Sequence, residues 1–328
     1  MIWASKPHFV IEFRLMAKVT KLRQDSRIYI AGHRGLVGSA LWRYFESMGF
    51  THLIGNSSRE VDLRDQAQTA RAIAVAEPEV LIIAAAKVGG ILANSMHPVE
   101  FLNDNLRIQT NLFEAAQINS IRRVLFLGSS CIYPKFAPQP ISEKSLLTGR
   151  LEETNEAYAI AKIAGVMQVE SYRREYGRSW ISAMPTNLYG PQDNFDLKTS
   201  HVLPAFIRRF HEAKVEGASS VTLWGTGNPR REFLHTDDLA RAVLHLLERY
   251  DEGAPINIGW GTDLSIAQLA TLIAEIVGFQ GHIQWNSSKP DGTPRKLLDT
   301  AKINELGWRP QIELRDGITN TYRWYLER

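Results

Sequence analysis

The order of apolar runs predicts an α/β chain: a doubly wound parallel sheet followed by a smaller C-terminal α/β lobe. Three observations point there. A β-branched run empties into a glycine-spaced loop, buried-strand patterns alternate with amphipathic-helix patterns through the first half, and Tyr158 and Lys162 stand one helical turn apart, 29 residues beyond Ser129.

Taken in order, Arg27 to Ala31 reads as a strand, Gly32-His33-Arg34-Gly35-Leu36-Val37-Gly38 as the turn after it, and Leu41, Phe45 and Met48 as the apolar face of the next helix. His52 to Gly55 follows as strand, Gln66 to Val75 as helix, Val80 to Ala84 as strand, Phe101 to Ile118 as helix and Val124 to Leu127 as strand. Ala157 to Glu175 is a long helix and Trp180 to Met184 another buried strand, so a Rossmann-type domain is expected over 27–185. The helical and strand patterns at Leu234 to Tyr250 and Ile256 to Ile258 return the segment 232–262 to that domain. Residues 186–231 and 263–328 then form the substrate-binding lobe, and their loops are rich in Gly, Pro, Asn and Asp. The leader over 1–26, interrupted by charges at Lys6, Glu12, Arg14, Lys18 and Lys21, is expected to be a flexible tail. A membrane-surface segment, or a true start at Met16, are its alternatives.

The bulk numbers bound the function. With 328 residues, 44% apolar, the chain can bury a large core, and 38 basic against 35 acidic side chains leave only +3, too little and too dispersed for a nucleic-acid surface. One cysteine, Cys131, excludes an internal disulfide and a multi-cysteine metal site and suits a reducing compartment, here read as the cytoplasm. No run of 18 apolar residues marks a membrane span, and no metal site is expected.

Glycines at the start of a helix let backbone approach a pyrophosphate, where unpaired N–H groups favour negative charge. NAD enzymes place a carboxylate near the end of the second strand, against the ribose hydroxyls. Here the residues are Asn56, Ser57, Ser58 and Arg59, and with Arg34 in the glycine loop they favour a 2′-phosphate, hence NADP(H). Asp62 and Leu63 either border the adenine or, for Asp62, cap the next helix. Ser129 stands at the carboxyl end of a strand, where open α/β sheets bind ligands. Tyr158 is the expected general acid toward a developing alkoxide, with Lys162 supplying the charge that stabilises its phenolate.

These residues resemble the extended short-chain dehydrogenase/reductase family over everything from Arg27 onward. The resemblance is most specific at Gly32 to Ser39, Val88-Gly89-Gly90-Ile91, Gly128-Ser129-Ser130-Cys131-Ile132-Tyr133-Pro134, Met184 to Pro191, Asn194-Phe195, Ser200-His201-Val202, Arg231-Glu232-Phe233 and Ser288 to Lys296. Those motifs are similar to the branch that takes GDP-4-keto-6-deoxy-D-mannose through epimerisation at C3 and C5 and NADPH reduction at C4. The resemblance implies Cys131 as base and His201 as acid for the epimerisation, the pairing being firmer than the direction of each step. It also implies substrate contacts from Arg209, Trp224, Arg231, Asp291 and Lys296. Cofactor contacts are implied from Gly32, His33, Arg34, Gly35, Leu36, Val37, Gly38, Ser58, Arg59, Asp62, Leu63, Lys162, Pro185, Asn187, Leu188 and His201. A homodimer through the helices 101–118 and 157–175 is implied as well. Related dehydratases carry Asp-Glu after the catalytic Ser/Thr, where this chain has Ser130-Cys131, and a simple C4 epimerase needs no Cys/His pair. A non-catalytic NADPH sensor has no reason to keep Ser129, Tyr158 and Lys162 together.

Overall fold

Val, Ile, Leu and Phe fill both faces of the central strands, the pattern of a parallel sheet covered by helices on each side. The computed structural model describes residues 21–289 and 291–328. Its first half runs β1 (Ile28–Ala31), α1 (Leu36–Ser47), β2 (Leu53–Ile54), α2 (Gln66–Ala76), β3 (Val80–Ile83), α3 (Ile91–Met96), α4 (Pro98–Ile118), β4 (Arg123–Leu127), α5 (Glu156–Tyr176) and β5 (Ile181–Pro185). The second half begins with β6 (Asn187–Tyr189), α6 (Val202–Val215), β7 (Ser220–Trp224), β8 (Arg230–Arg231), β9 (Phe233–His235) and α7 (Thr236–Arg249). It continues through β10 (Ile256–Ile258), β11 (Leu264–Ser265), α8 (Ile266–Val277), β12 (His282–Asn286), β13 (Arg295–Lys296), α9 (Ala301–Glu305) and α10 (Leu314–Glu327).

The main sheet is parallel throughout, in the order β10-β5-β4-β3-β1-β2. This is the doubly wound architecture expected. Alternate residues split between two cores: Ile28, Ile30, Val80, Ile82 and Leu125 face α1 and α7, while Tyr29, Leu81, Ile83, Val124 and Phe126 face α4 and α5. A third cluster, with Phe206, Phe210, Leu223, Leu269, Ile273 and Ile318, is the core of the lobe. Its strands pair in small groups, β11-β8-β13 and β12-β7, with β6-β9 at the join.

The run read as a helix from Leu234 splits: Phe233–His235 is a strand and α7 starts at Thr236, because His235 accepts from the Asp237 amide and caps it. The leader expected over 1–26 lies outside the described residues up to position 20. From Leu22 the chain is fastened: the Leu22 amide donates to Glu248 Oε1 at 3.1 Å and its side chain packs on the sheet core. Among the described residues no helix is long and apolar enough to cross a membrane, and no cluster of three metal-ligating side chains occurs.

Candidate active site

Of the three glycines after β1, two are required by the protein's own packing. A Cβ on Gly32, whose φ is +83°, would lie 2.8 Å from the Ala85 backbone, and one on Gly38 would lie 2.1 Å from the Gly32 carbonyl oxygen. Gly35 differs, since a Cβ there meets nothing nearer than 3.4 Å. It is the N-cap of α1 and no side chain caps that helix. The first turn therefore offers unpaired N–H groups beside a residue with no side chain, a cradle that fits a dinucleotide pyrophosphate.

Beside this turn, β2 ends and the backbone folds back. Ser57 accepts from the amides of Glu60 and Val61, and its own amide donates to Glu60 Oε2 at 2.6 Å. Glu60 is held below the usual carboxylate range, first by that Ser57 amide and then by the charges of Arg34 and His33. The expectation of an acid-free second-strand end thus needs correction: a tight turn brings back a carboxylate from four residues beyond Asn56. Ser58, Arg59 and Arg34 are exposed around it. Asp62 is not the helix cap. It pairs with Arg64 at 2.9 Å, while Asp65 caps α2 by accepting from the Gln68 amide. Leu63 packs against the core and its carbonyl accepts from Asn111.

At the end of β4, Ser129 adopts an extended conformation and its Oγ accepts from the Cys131 amide at 3.2 Å, closing the 3-10 turn that presents the thiol. Helix α5 can approach β4 because of Gly165, where a Cβ would fall 2.3 Å from the Phe126 ring. That approach puts Tyr158 and Lys162 over the strand end. Lys162 is 3% exposed, and its Nζ donates to the Leu127 carbonyl at 2.9 Å, 4.8 Å from the Phe126 ring centroid and 5.9 Å from that of Tyr158. Burial lowers the Lys162 pKa to about 7. The Tyr158 phenol is pushed up by burial and by Cys131, with Ser129 opposing. Both shifts run against the tuned phenolate expected from the spacing, because burial penalises each charged form and the lysine is engaged with β4.

The other wall comes from the lobe. His201 is the N-cap of α6 and its imidazole makes no capping bond. The segment before it rests on the Val88-Gly89-Gly90-Ile91 turn: Gly90 N donates to Thr199 O at 2.9 Å, and a Cβ on Gly90 would lie 2.5 Å from Ser200 O. Desolvation by the surrounding protein first, then the Lys296 ammonium, keeps the His201 pKa below its ordinary value, although much of the residue's surface is exposed.

Lys296 also donates to Cys131 Sγ at 3.6 Å, across 165 residues of sequence. Asn155 Nδ2 reaches the same sulfur at 3.6 Å. The resemblance implies Lys296 as a substrate contact without assigning its partner, and it does not single out Asn155, whose only signal in the sequence is its position at the start of α5. Glu232 likewise enters the sequence reading only within a motif. Fully buried, its carboxylate accepts from the amides of Gly261 at 2.6 Å and Leu298 at 3.1 Å, so it straps the segment carrying Lys296 to β8.

Of the remaining expected contacts, Arg231 is paired in register with Lys296. Asp291 closes the Gly225 turn, its two oxygens accepting from Thr226 N and Oγ1 at 2.8 Å each. Trp224 stands 49% exposed with Lys289 Nζ 5.4 Å from its ring centroid, and Arg209 lies half-buried on α6. Pro185 ends β5, and β6 carries Asn187 and Leu188, with Asn187 Nδ2 donating to the Glu232 carbonyl at 2.7 Å.

An open glycine cradle at one strand end and a serine, tyrosine and lysine gathered at another define a class of enzymes that work on a small substrate with a nicotinamide dinucleotide. The chain belongs to the NAD dependent epimerase/dehydratase family, whose model matches residues 28–259. It is 55% identical over 304 residues to GDP-L-fucose synthase 1 of Arabidopsis thaliana, covering 93% of this chain and 94% of that one. Among solved structures it is similar to a GDP-6-OMe-4-keto-L-xylo-heptose reductase from C. jejuni, with 36% identity, a TM-score of 0.89 and coverage of 94% and 99%. A GDP-L-fucose synthetase from Naegleria fowleri bound to NADP is 28% identical, with a TM-score of 0.86 and coverage of 94% and 96%.

Proposed function

We propose that this chain epimerises GDP-4-keto-6-deoxy-D-mannose at C3 and C5 and then reduces the C4 ketone with NADPH, giving GDP-L-fucose. The observation that supports it best is the placement of Cys131 two residues past Ser129, with Lys296 and His201 arriving from the lobe. Both epimerised carbons flank a ketone, so their protons are acidic, and inversion needs one group to take a proton and another to return one from the opposite face. Cys131 serves as base and His201 as acid. Ser129 and Tyr158 bond the ketone oxygen, and Tyr158 protonates it as the alkoxide forms. Bound NADPH supplies the hydride. Its pyrophosphate rests on the cradle from Gly32 to Gly38, with Arg34, Ser58 and Arg59 at the adenosine end and Lys162, Pro185, Asn187 and Leu188 at the nicotinamide end. Arg209, Arg231 and Trp224 hold the GDP group.

A reductase without epimerisation is the alternative, favoured by the similarity to the C. jejuni heptose reductase. Incubation with GDP-4-keto-6-deoxy-D-mannose and NADPH in deuterated water separates the two. Deuterium at C3 and C5 together with NADPH oxidation is the expected result, and oxidation without deuterium would leave only the reductase. We further propose a homodimer packed through α4 and α5, on which Ile160 and Met167 are 47% and 42% exposed. Light scattering is expected to give twice the 37.0 kDa chain mass, and the mass of one chain would contradict it.

A further inference from the structure

Two motifs of the sequence, Val88-Gly89-Gly90-Ile91 and Asn194-Phe195, have no part in the chemistry proposed above, and the fold brings them to one place. Asn194 and Asp196 knit the 194–200 turn that leads into His201. Asp196 Oδ1 accepts from the amides of Lys198 and Thr199 and from Thr199 Oγ1, each at 3.0 Å, and Asn194 Nδ2 donates to that hydroxyl at 2.9 Å. The Asp196 carbonyl accepts from the Ser200 amide at 2.8 Å. Between those two residues Phe195 is 1% exposed, its ring 4.7 Å from that of Tyr325 and 6.1 Å from that of Trp324, so α10 seats the turn. A second hold comes from Gly90, whose amide donates to Thr199 O. Gly90 has φ −68° and ψ 179°, a conformation open to any residue, so what demands glycine there is the Ser200 carbonyl oxygen, 2.5 Å from where a Cβ would sit.

We infer that the 194–200 turn is a strut, seated on α10 and braced by Gly90, that fixes where His201 stands relative to Cys131, and that Gly90 and Asp196 are therefore positioning residues for proton exchange at C3 and C5. The inference rests on the acid role proposed for His201. A shift of about 1 Å in such a group costs up to about 10²-fold in rate. Ketone reduction depends on Ser129, Tyr158 and Lys162, which the strut does not hold.

The test uses the full chain at saturating NADPH and follows two rates: deuterium entry at C3 and C5 of GDP-4-keto-6-deoxy-D-mannose, and NADPH oxidation on the already epimerised 4-keto sugar. Gly90→Ala displaces Ser200, and Asp196→Ala frees the three donors that its Oδ1 holds. Deuterium entry should fall about 10- to 100-fold in each, while ketone reduction stays within about threefold of wild type. Asp196→Asn keeps the accepting oxygen and should bring deuterium entry back to within about threefold of wild type. Asp196 is exposed, so its two variants should keep the fold and decide the matter even if alanine at 90 prevents folding. Equal loss of both reactions would mean that the turn only supports the fold. Unchanged deuterium entry would mean that His201 does not depend on the turn, and Asp196→Asn no faster than Asp196→Ala would mean that these hydrogen bonds do not hold it; any of the three overturns the inference. A wild-type chain that takes up no deuterium would overturn the role proposed for His201 and the strut together, whereas deuterium entry in the wild type that both alanine variants retain overturns the strut alone.

Discussion

The two walls of the cleft are built by different physics. On the sheet side, Ser129 follows β4 while Tyr158 and Lys162 ride on α5, and the faces on which these elements meet are mostly apolar and buried, with Val124, Phe126, Ile163, Val166 and Val169. On the lobe side, His201 and Lys296 ride on a helix start and a two-residue strand held by polar straps. There Glu232 binds two amides, and Asp263 holds Arg230 at 2.9 Å and Arg295 at 2.5 Å. The lesson is that the residues proposed for ketone reduction are fixed mainly by packing, while the residues proposed for proton exchange at carbon are fixed by hydrogen bonds. The first wall should be sensitive to volume and the second to charge and pH.

The strongest way to break that contrast is on the lobe side. Glu232→Ala leaves the buried Leu298 amide without its acceptor and releases the Gly261 amide, at a cost of about 1–3 kcal/mol. A fall of that size in the unfolding free energy obtained from denaturant titration, with epimerisation suffering more than cofactor binding, is the expected outcome. Gly165→Ala probes the sheet side. Alanine gains up to about 1 kcal/mol in helix propensity, yet its Cβ would meet Phe126, which has no room to move. Overpacking costs about 1–3 kcal/mol, so the net effect is a loss, read as a lowered melting temperature.

Asp193 sharpens the charge argument. It is 7% exposed, and burial pushes its pKa up to about 7, with the Asn194 amide opposing. A carboxyl raised in the folded state binds protons that the unfolded chain releases above about pH 4. It therefore destabilises the fold progressively from about pH 4 to pH 7, and fully above that. Asp193→Asn keeps an acceptor for Asn194 and should raise stability at pH 8 by roughly 1–3 kcal/mol, with no gain at pH 4. Equal gains at both values would show that the carboxyl is not held neutral by burial.

The smallest effect concerns Lys162. With its pKa near 7, much of it is neutral at pH 8, and an anionic cofactor should draw a proton onto it. Calorimetry of NADP⁺ binding in buffers of different ionisation enthalpy should show fractional proton uptake at pH 8 that fades toward pH 6. No uptake at either value would mean that burial has not lowered the lysine.

The same contrast explains what could be read from sequence. Strands β1, β3, β4 and β5 are four or five residues long and apolar apart from Arg123 and Ser182, because both their faces are buried, and such runs announce themselves. Ser129, Tyr158 and Lys162 followed from their spacing on those elements. The strands β8, β11 and β13 hold two residues each, and β8 and β13 consist of Arg230–Arg231 and Arg295–Lys296, so no periodicity marks them. Their stability comes from Asp263 and Glu232, long-range partners that no local window contains. The approach of Lys296 to Cys131 was hidden for that reason. Glu60 was missed because a turn, not the strand, returns it to the glycine loop.

If the thiol belongs to proton exchange at carbon and the phenol to ketone reduction, the two steps can be separated. The decisive experiment compares Cys131→Ser with the wild-type chain on two substrates, following deuterium entry into GDP-4-keto-6-deoxy-D-mannose and NADPH oxidation on the already epimerised 4-keto sugar. Deuterium entry should fall by about 10²-fold or more while ketone reduction stays within a few-fold of wild type. Equal loss of both would contradict the division of labour between the two walls.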